Sequence, residues 1–248
     1  MLTVERQEII LDSLKQKEVV SVREMVEQTG ASESTIRRDL TEMESAQKIK
    51  RVHGGASLLR KKTEEPSLSE KTSLFQEEKT RIAKYAAEKI ENGDCIYLDA
   101  GTTTMHMIPF LPPNIIVVTN GIPHIQTLLD QGIETYVVGG KLKQGTAALI
   151  GAKAIESIQS FRFDKCFLGI NGIHLDYGYT TPDPEEAAVK QTAIAQAKEN
   201  FVVADDTKFG DVSFAHVANL EQAQIITSKG ISSDMEENIT NKTRLEVV

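Results

Sequence analysis

Three observations in the 248-residue sequence predict a two-part protein, a small and mostly helical N-terminal unit followed by a larger α/β unit. Residues 4–45 hold three short segments with apolar residues at helical spacing, separated by turn residues. From residue 95 onward, short apolar runs alternate with helical patterns, as in a parallel sheet covered by helices. The charge divides too: residues 1–62 carry 12 Lys+Arg against 10 Asp+Glu, a balance of +2, and the remainder −10, within a net −8.

Val4 to about Lys17 reads as a first helix with Ile9, Ile10, Leu11 and Leu14 on its apolar face. Val19-Val20 suits a very short strand. Ser21-Val22-Arg23-Glu24 has the spacing of a capping box, so a second helix starts there, and Thr29-Gly30 stops it. Ser32 is an N-cap for a third helix whose inward stripe is Ile36, Leu40 and Met43. Ser34, Thr35, Arg37 and Arg38 point away from that stripe. Hydroxyls and guanidinium forks on one exposed face are the chemistry that contacts phosphates and guanine edges in a DNA major groove. Helix, glycine turn and exposed basic helix make a helix-turn-helix. Ile49–Leu58 reads as a hairpin around Gly54-Gly55, a wing that brings Lys50, Arg51 and His53 towards DNA.

The expected domains are a winged helix-turn-helix over 1–58, a polar linker over 59–76, and an α/β domain over 77–248. In the last, a helix runs from Lys79 to Asn92-Gly93 with Ile82, Ala83, Ala86, Ala87 and Ile90 inward. Strands are expected at Cys95–Leu98, Ile115–Val118, Thr135–Val138, Lys165–Leu168, Phe201–Ala204, Gln224–Thr227 and, at an edge, Leu245–Val248. Helices are expected around Ile125, Leu128 and Leu129, and over Glu185–Lys198.

No apolar run approaches the ~20 residues needed to cross a bilayer, and Met1–Arg6 has no signal-peptide pattern, so a cytoplasmic protein without a membrane partner is expected. Cys95 and Cys166 sit in apolar runs and read as inert thiols of a reducing compartment. No Cys/His spacing points to a metal, and no cofactor is expected.

Nearly every strand is followed at once by small or polar residues: Asp99-Ala100-Gly101-Thr102, Thr119-Asn120-Gly121, Gly169-Ile170-Asn171-Gly172 and Asp205-Asp206-Thr207-Lys208. In open α/β sheets the ligand crevice lies outside the carboxyl ends of the strands. Gly101 with Thr102, Thr103 and Thr104 offers N–H groups and hydroxyls to a phosphate. Lys190 and Lys208 supply positive charge, and Asp99, Asn120, Asn171, Glu186 and Asp205 suit sugar hydroxyls. The competing account makes each loop an ordinary strand-to-helix turn and Asp205–Lys208 a surface ion pair. His106 and His124 read as packing or surface residues.

Two sets of motifs carry a family resemblance. The first is Ser32-Glu33-Ser34-Thr35-Ile36-Arg37-Arg38-Asp39-Leu40 with Arg51-Val52-His53-Gly54-Gly55-Ala56. The second is Leu98–Thr104, Val118-Thr119-Asn120, Gly139-Gly140, Asp164-Lys165, Asn171-Gly172, Glu186–Lys190 and Ala204–Gly210. Together they resemble the DeoR family of bacterial transcription regulators over essentially the whole chain. The resemblance implies a winged helix-turn-helix joined to a sensor domain with the fold of sugar-phosphate isomerases and coenzyme A transferases. Gly93–Asp99, Asn171–His174 and Thr180–Pro184 most resemble the fructose-operon repressors of Gram-positive bacteria. That implies a homo-oligomer, dimer or tetramer, that binds double-stranded operator DNA and is released by fructose 1-phosphate. Relatives answer to tagatose 6-phosphate and other sugar phosphates.

Two alternatives compete. An isomerase needs a general base at the sugar carbon, and the loop that carries paired aspartates in those enzymes holds Asn171 and His174 here, so no catalytic residue is expected. The other alternative is a DNA-binding protein whose second domain only oligomerises. It leaves the polar strand-end loops unexplained.

Overall fold

The computed structural model describes residues 1–17, 19–46, 48–52, 54–58, 63 and 67–248. It folds as two units, Met1–Lys61 and Lys62–Val248.

In the first unit, α1 (Thr3–Lys17), β1 (Val19–Ser21), α2 (Val22–Thr29) and α3 (Glu33–Ser45) precede a hairpin of β2 (Ile49–Val52) and β3 (Gly55–Leu58). The capping box is formed, with Glu24 N donating to Ser21 Oγ at 3.2 Å and Ser21 N to Glu24 Oε2 at 3.0 Å. Gly30 ends α2 at φ 66°, a left-handed position that favours glycine. Ile10, Leu14, Met25, Ile36, Leu40, Met43 and Ile49 form one small core. Beside that core, buried Arg6 of α1 grips Asp39 of α3 with two nitrogens, Nη2 reaching Oδ1 at 2.9 Å. This fork fixes the roll of α3, and hence which face it shows to solvent.

The hairpin turn is one residue earlier than the sequence pattern places it. Gly54 takes the turn at φ 73°, and Gly55 already belongs to β3. A Cβ on Gly55 would lie 2.3 Å from the Val20 carbonyl, because β1 pairs with β3 there. The sheet is therefore three-stranded, in the order β1-β3-β2.

The second unit begins with α4 (Leu68–Ser73), inside the stretch read as linker, and α5 (Gln76–Ala87), which starts three residues before the expected Lys79. Then follow β4 (Cys95–Leu98), α6 (Thr102–Met107), β5 (Ile116–Thr119), α7 (Ile122–Asp130), β6 (Glu134–Val137), β7 (Lys141–Lys143), β8 (Ala148–Ile150), α8 (Ala152–Gln159) and β9 (Phe163–Leu168). The chain ends with β10 (Gly172–His174), β11 (Gly178–Thr181), α9 (Pro184–Ala195), β12 (Ala197–Ala204), β13 (Ala215–Ala218), β14 (Gln224–Thr227), α10 (Ser233–Thr240) and β15 (Leu245–Val247).

Seven strands form one parallel sheet in the order β15-β14-β12-β9-β4-β5-β6. The inner strands are covered on both faces, so their buried stretches read as continuous apolar runs rather than alternating ones. Ile96, Leu98, Val117, Phe167 and Val203 face the core shared with α5, α6 and α7. Tyr97, Val118, Cys166, Leu168 and Val202 face the core shared with α8 and α9. The expected helix over Glu185–Lys198 stops at Ala195, because Ala197–Asn200 pair with Phe163–Cys166 and lengthen β12. A separate antiparallel sheet, β10-β11-β13, and the β7-β8 hairpin were not legible as strands. No helix among the described residues is long and apolar enough to cross a membrane.

Candidate DNA interface and ligand site

Helix α3 presents the surface expected of it. Ser32 caps it, its Oγ accepting from Thr35 N at 3.3 Å and lying 2.9 and 2.8 Å from the Ser34 and Thr35 hydroxyls. The side chains of Arg37 and Arg38 are 52% and 81% exposed. Each rests on a glutamate one turn away: Arg37 on Glu33 at 2.6 Å, and Arg38 on Glu42 at 3.2 Å. Such exposed pairs contribute well under ~1 kcal/mol, so a phosphate or a guanine edge displaces the glutamates at little cost.

The wing is less free than the sequence implies. Arg51 Nη1 donates to Thr41 Oγ1 at 3.1 Å, and Arg51 N to Glu44 Oε1 at 2.9 Å, which ties β2 to α3. Gly54 serves the turn, and its carbonyl accepts from Val22 N at 2.8 Å. Lys50 is half-buried, and His53 lies outside the described residues.

In the larger unit the chain runs from β4 out to β6, then returns past β4 to β9, β12, β14 and β15. The direction of strand order therefore reverses between β4 and β9. That is where a crevice opens at the carboxyl ends of a parallel sheet.

Asp99 closes β4 at this point and is 1% exposed. Its Oδ2 accepts from Gly169 N at 3.1 Å, just past β9, and from the Lys190 ammonium on α9, itself 5% exposed. Its Oδ1 is buried with no hydrogen-bond partner. An unsatisfied buried carboxylate oxygen costs ~1–3 kcal/mol or more, which a hydroxyl donor from a ligand would recover.

Neighbouring groups complete the wall. Asn120, at the end of β5, accepts from Ala100 N at 2.8 Å and so shapes the loop after β4. Thr104 spends its hydroxyl on that same loop, 2.6 Å from the Asp99 carbonyl and 2.8 Å from that of Gly101. Thr102 and Thr103, 6% and 7% exposed, open α6 beside that loop. Glu186, one turn before Lys190 on α9, accepts from Thr146 Oγ1 at 2.7 Å and pairs with Lys143 at 3.2 Å. It thereby holds the β7-β8 hairpin beside the crevice.

Asp205 is 2% exposed and not a surface residue. Burial pushes its carboxyl up, but Lys208 at 3.6 Å, Thr207 and Lys79 together hold it below the ordinary carboxylate range. Asn171 accepts from Thr181 Oγ1 at 3.0 Å on β11. Gly172 has a packing reason to be glycine, since a Cβ there would lie 2.4 Å from the Asp211 carbonyl.

Lys79 and Lys143 lie near the crevice without having been singled out by the sequence, and His124, read as a packing or surface residue, is a buried one. Lys79 had a legible signal, since it sits on the same helical stripe as Ile82, Ala83 and Ala86. His124 is 1% exposed, with Nδ1 3.0 Å from Thr119 Oγ1 and Nε2 3.3 Å from the Gly101 carbonyl. Burial lowers its pKa to about 4. Its folded value lies below its unfolded one. The stability tied to the neutral ring is therefore complete above pH ~6.5 and is lost as pH falls through about 4. Thermal melts of the larger unit should lose about 3 kcal/mol across that window, and His124→Gln should remove this part of the acid limb. An acid limb identical in the variant would refute it.

The model of the DeoR-like helix-turn-helix domain matches residues 6–62, and that of the DeoR C terminal sensor domain matches residues 74–229. A Bacillus subtilis (strain 168) protein described as an uncharacterized HTH-type transcriptional regulator, FruR, is 48% identical over 100% of this chain and 99% of its own. The HTH-type transcriptional regulator GlpR of Haloferax volcanii is 34% identical over 96% of this chain and 95% of its own. The HTH-type transcriptional repressor GlcR of Bacillus subtilis is 35% identical over 91% and 88%. Among solved structures, ribose 5-phosphate isomerase A of Methanocaldococcus jannaschii superposes on 54% of each chain, with a TM-score of 0.40 and 14% identity. With both halves matched and relatives aligned along nearly the whole length, the chain belongs to the DeoR family and is a transcriptional regulator, not an enzyme.

Proposed function

We propose that the chain represses a sugar-catabolism operon, a fructose operon in particular, and that fructose 1-phosphate releases it from operator DNA. The observation that carries a sugar-phosphate ligand is the half-satisfied carboxylate of Asp99 at the end of β4, just ahead of Thr102 and Thr103 at the start of α6. The carboxylate suits a sugar hydroxyl, and the threonines with Lys190 and Lys208 suit the phosphate. The fructose assignment is supported by the 48% identity to the relative named FruR.

Arg37 and Arg38, with Ser34 and Thr35 beside them, make the operator contacts in this reading. A helix-turn-helix reads paired half-sites as a dimer or higher assembly. Self-association is supported by the open edge of the sheet, where Tyr136 and Val137 of β6 and Ile122 and Leu129 of α7 are exposed. Residues 90–140 contain no Lys or Arg and few acids, so two copies of an acidic body meet there without strong repulsion.

Linkage requires that the sugar weaken DNA binding by the factor by which DNA weakens sugar binding. A melt of the full chain with fructose 1-phosphate, tagatose 6-phosphate and free fructose tests the ligand. At a hundred times Kd, the right ester raises the transition of the larger unit by about 5–10 °C. Sedimentation should give a multiple of the 27.4 kDa protomer. No shift with any sugar phosphate, or operator affinity indifferent to all of them, would sink the proposal.

A further inference from the structure

His124 of α7 is a buried titratable ring that neither the operator contacts nor the sugar-phosphate site uses. It is 1% exposed, and both ring nitrogens face protein oxygens: Nδ1 lies 3.0 Å from Thr119 Oγ1, and Nε2 3.3 Å from the Gly101 carbonyl. Gly121 makes room for it, since a Cβ there would lie 2.8 Å from Nδ1. The ring thus bridges the end of β5 to the loop after β4. Burial lowers its pKa to about 4, so at neutral pH it is uncharged and has one N–H for two oxygens.

Its neighbours leave two ways to place that proton. In the first, Nδ1–H donates to Thr119, whose own hydroxyl donates to the Leu98 carbonyl at 2.7 Å. Nε2 then turns a lone pair towards the Gly101 carbonyl. In the second, Nε2–H donates to Gly101, and the Thr119 hydroxyl swings from Leu98 to Nδ1. Each arrangement makes two hydrogen bonds, so the two lie close in energy. In either, Thr119 Oγ1 goes on accepting from Gly121 N at 3.0 Å. The distances favour the first: the Leu98 bond has the ordinary O–H···O length, and the Gly101 contact is long. Gly101 also needs no third donor, because its carbonyl already accepts from Met105 N at 3.0 Å and Thr104 Oγ1 at 2.8 Å.

We infer that His124 is a positioning residue that works as a relay: a phosphorylated effector at the Gly101 loop drives it from the first proton arrangement to the second. The inference rests on the sugar-phosphate reading for the identity of the ligand. Thr104 has one hydroxyl hydrogen and two carbonyls within reach, Asp99 at 2.6 Å and Gly101 at 2.8 Å. A phosphate drawing on the loop N–H groups moves the Gly101 carbonyl, since such charge-assisted bonds are roughly twice as strong as neutral ones. The Thr104 hydroxyl then settles on Asp99, and Nε2–H takes its place at Gly101. The ring is uncharged before and after: water takes the proton from Nδ1 and returns one to Nε2. A small cavity bordered by Gly101, Met105, Pro123 and His124 gives the loop space to shift. Thr119 ends β5, and His124 lies in the first turn of α7. The choice of proton is thereby felt by the helix whose outer side carries exposed Ile122 and Leu129.

Nitrogen NMR of the full chain, isotope-labelled at its five histidines, tests this, because the ring couplings report which nitrogen is protonated. The His124 signals are those that His124→Gln lacks. Without ligand at neutral pH the proton should sit on Nδ1, and saturating fructose 1-phosphate should place it on Nε2. Thr119→Val removes the hydroxyl and should keep the ring on Nε2 throughout. The effector then no longer has to select a minor arrangement, so calorimetry should show fructose 1-phosphate binding at least about threefold tighter. A hydroxyl that only supports the packing predicts the reverse, and unchanged or weaker binding in Thr119→Val overturns the relay. Should that variant fold poorly, the wild-type spectra decide alone. One tautomer with and without bound fructose 1-phosphate overturns the relay and leaves the effector reading intact. A tautomer change caused by inorganic phosphate, in a chain that binds no sugar phosphate, overturns that reading and leaves the relay standing. A ring indifferent to every phosphate overturns the relay.

Discussion

Arg37→Ala combined with Arg38→Ala is expected to lower operator affinity about a thousandfold. Each guanidinium that forms a bidentate contact to a base is worth ~1–3 kcal/mol, and two at the middle of that range give ~4 kcal/mol. What they give up on binding DNA is small, because Glu33 and Glu42 hold them only in exposed pairs. Neither arginine belongs to the core, which is closed by Ile36, Leu40 and Met43 on the other side of α3. The double variant should therefore fold normally, and its ligand-induced melting shift should match that of wild type. Fluorescence anisotropy with the DNA flanking its own gene, at fixed salt, measures the loss. The salt dependence separates the two roles: if either arginine contacts phosphate, the slope of log affinity against log salt becomes shallower by about one per contact. A double variant that holds this DNA within threefold of wild type would remove α3 from the interface.

Lys190→Met is expected to cost the larger unit about 3–5 kcal/mol. Asp99 and Lys190 are both almost wholly buried, and removing one partner leaves the other as an uncompensated charge. For a unit of this size the transition should fall by about 10 °C. Asp99→Asn with Lys190→Met should recover most of that loss, since a neutral amide and a thioether leave no orphaned charge. Neither form should bind a phosphorylated sugar, so calorimetry separates loss of the site from loss of the fold. A single variant as stable as wild type would refute the Asp99–Lys190 pair as a stabilising contact of the larger unit.

Much of the N-terminal unit could be read residue by residue because its signals are local. The Ser21–Glu24 capping box, the Gly30 stop and the Ser32 cap each act within four residues, and each forms as the pattern dictates. The Arg6–Asp39 fork was invisible, since 33 residues separate its partners and each charge alone looks solvated. In the larger unit the inner strands of the parallel sheet stand out, because burial on both faces makes stretches such as Ile96–Leu98, Phe201–Ala204 and Ile225–Ile226 apolar. Strands β7 and β8 did not: Lys141–Lys143 is mostly charged, and the hairpin is held by Lys143 and Thr146 reaching Glu186, a tertiary effect. The sequence pattern runs α9 on too far because Gln196–Lys198 continues it, and only pairing with β9 ends the helix. The strand-end loops pointed to the crevice, but the reversal between β4 and β9, which brings Asp99 to Gly169, cannot be deduced from spacing.

The strand order also bears on how the molecule comes into being. Strand β4 pairs with β9, so Ile96 must find Lys165 across an intervening 68 residues of chain, and β12 can dock only afterwards. Such distant pairings are slow to form, whereas the contacts of the first 58 residues are short-range and quick. During synthesis the DNA-reading module would thus finish while the sheet was still incomplete. A newly made chain would pass through an interval in which its helix-turn-helix module is complete and its sensor sheet is not.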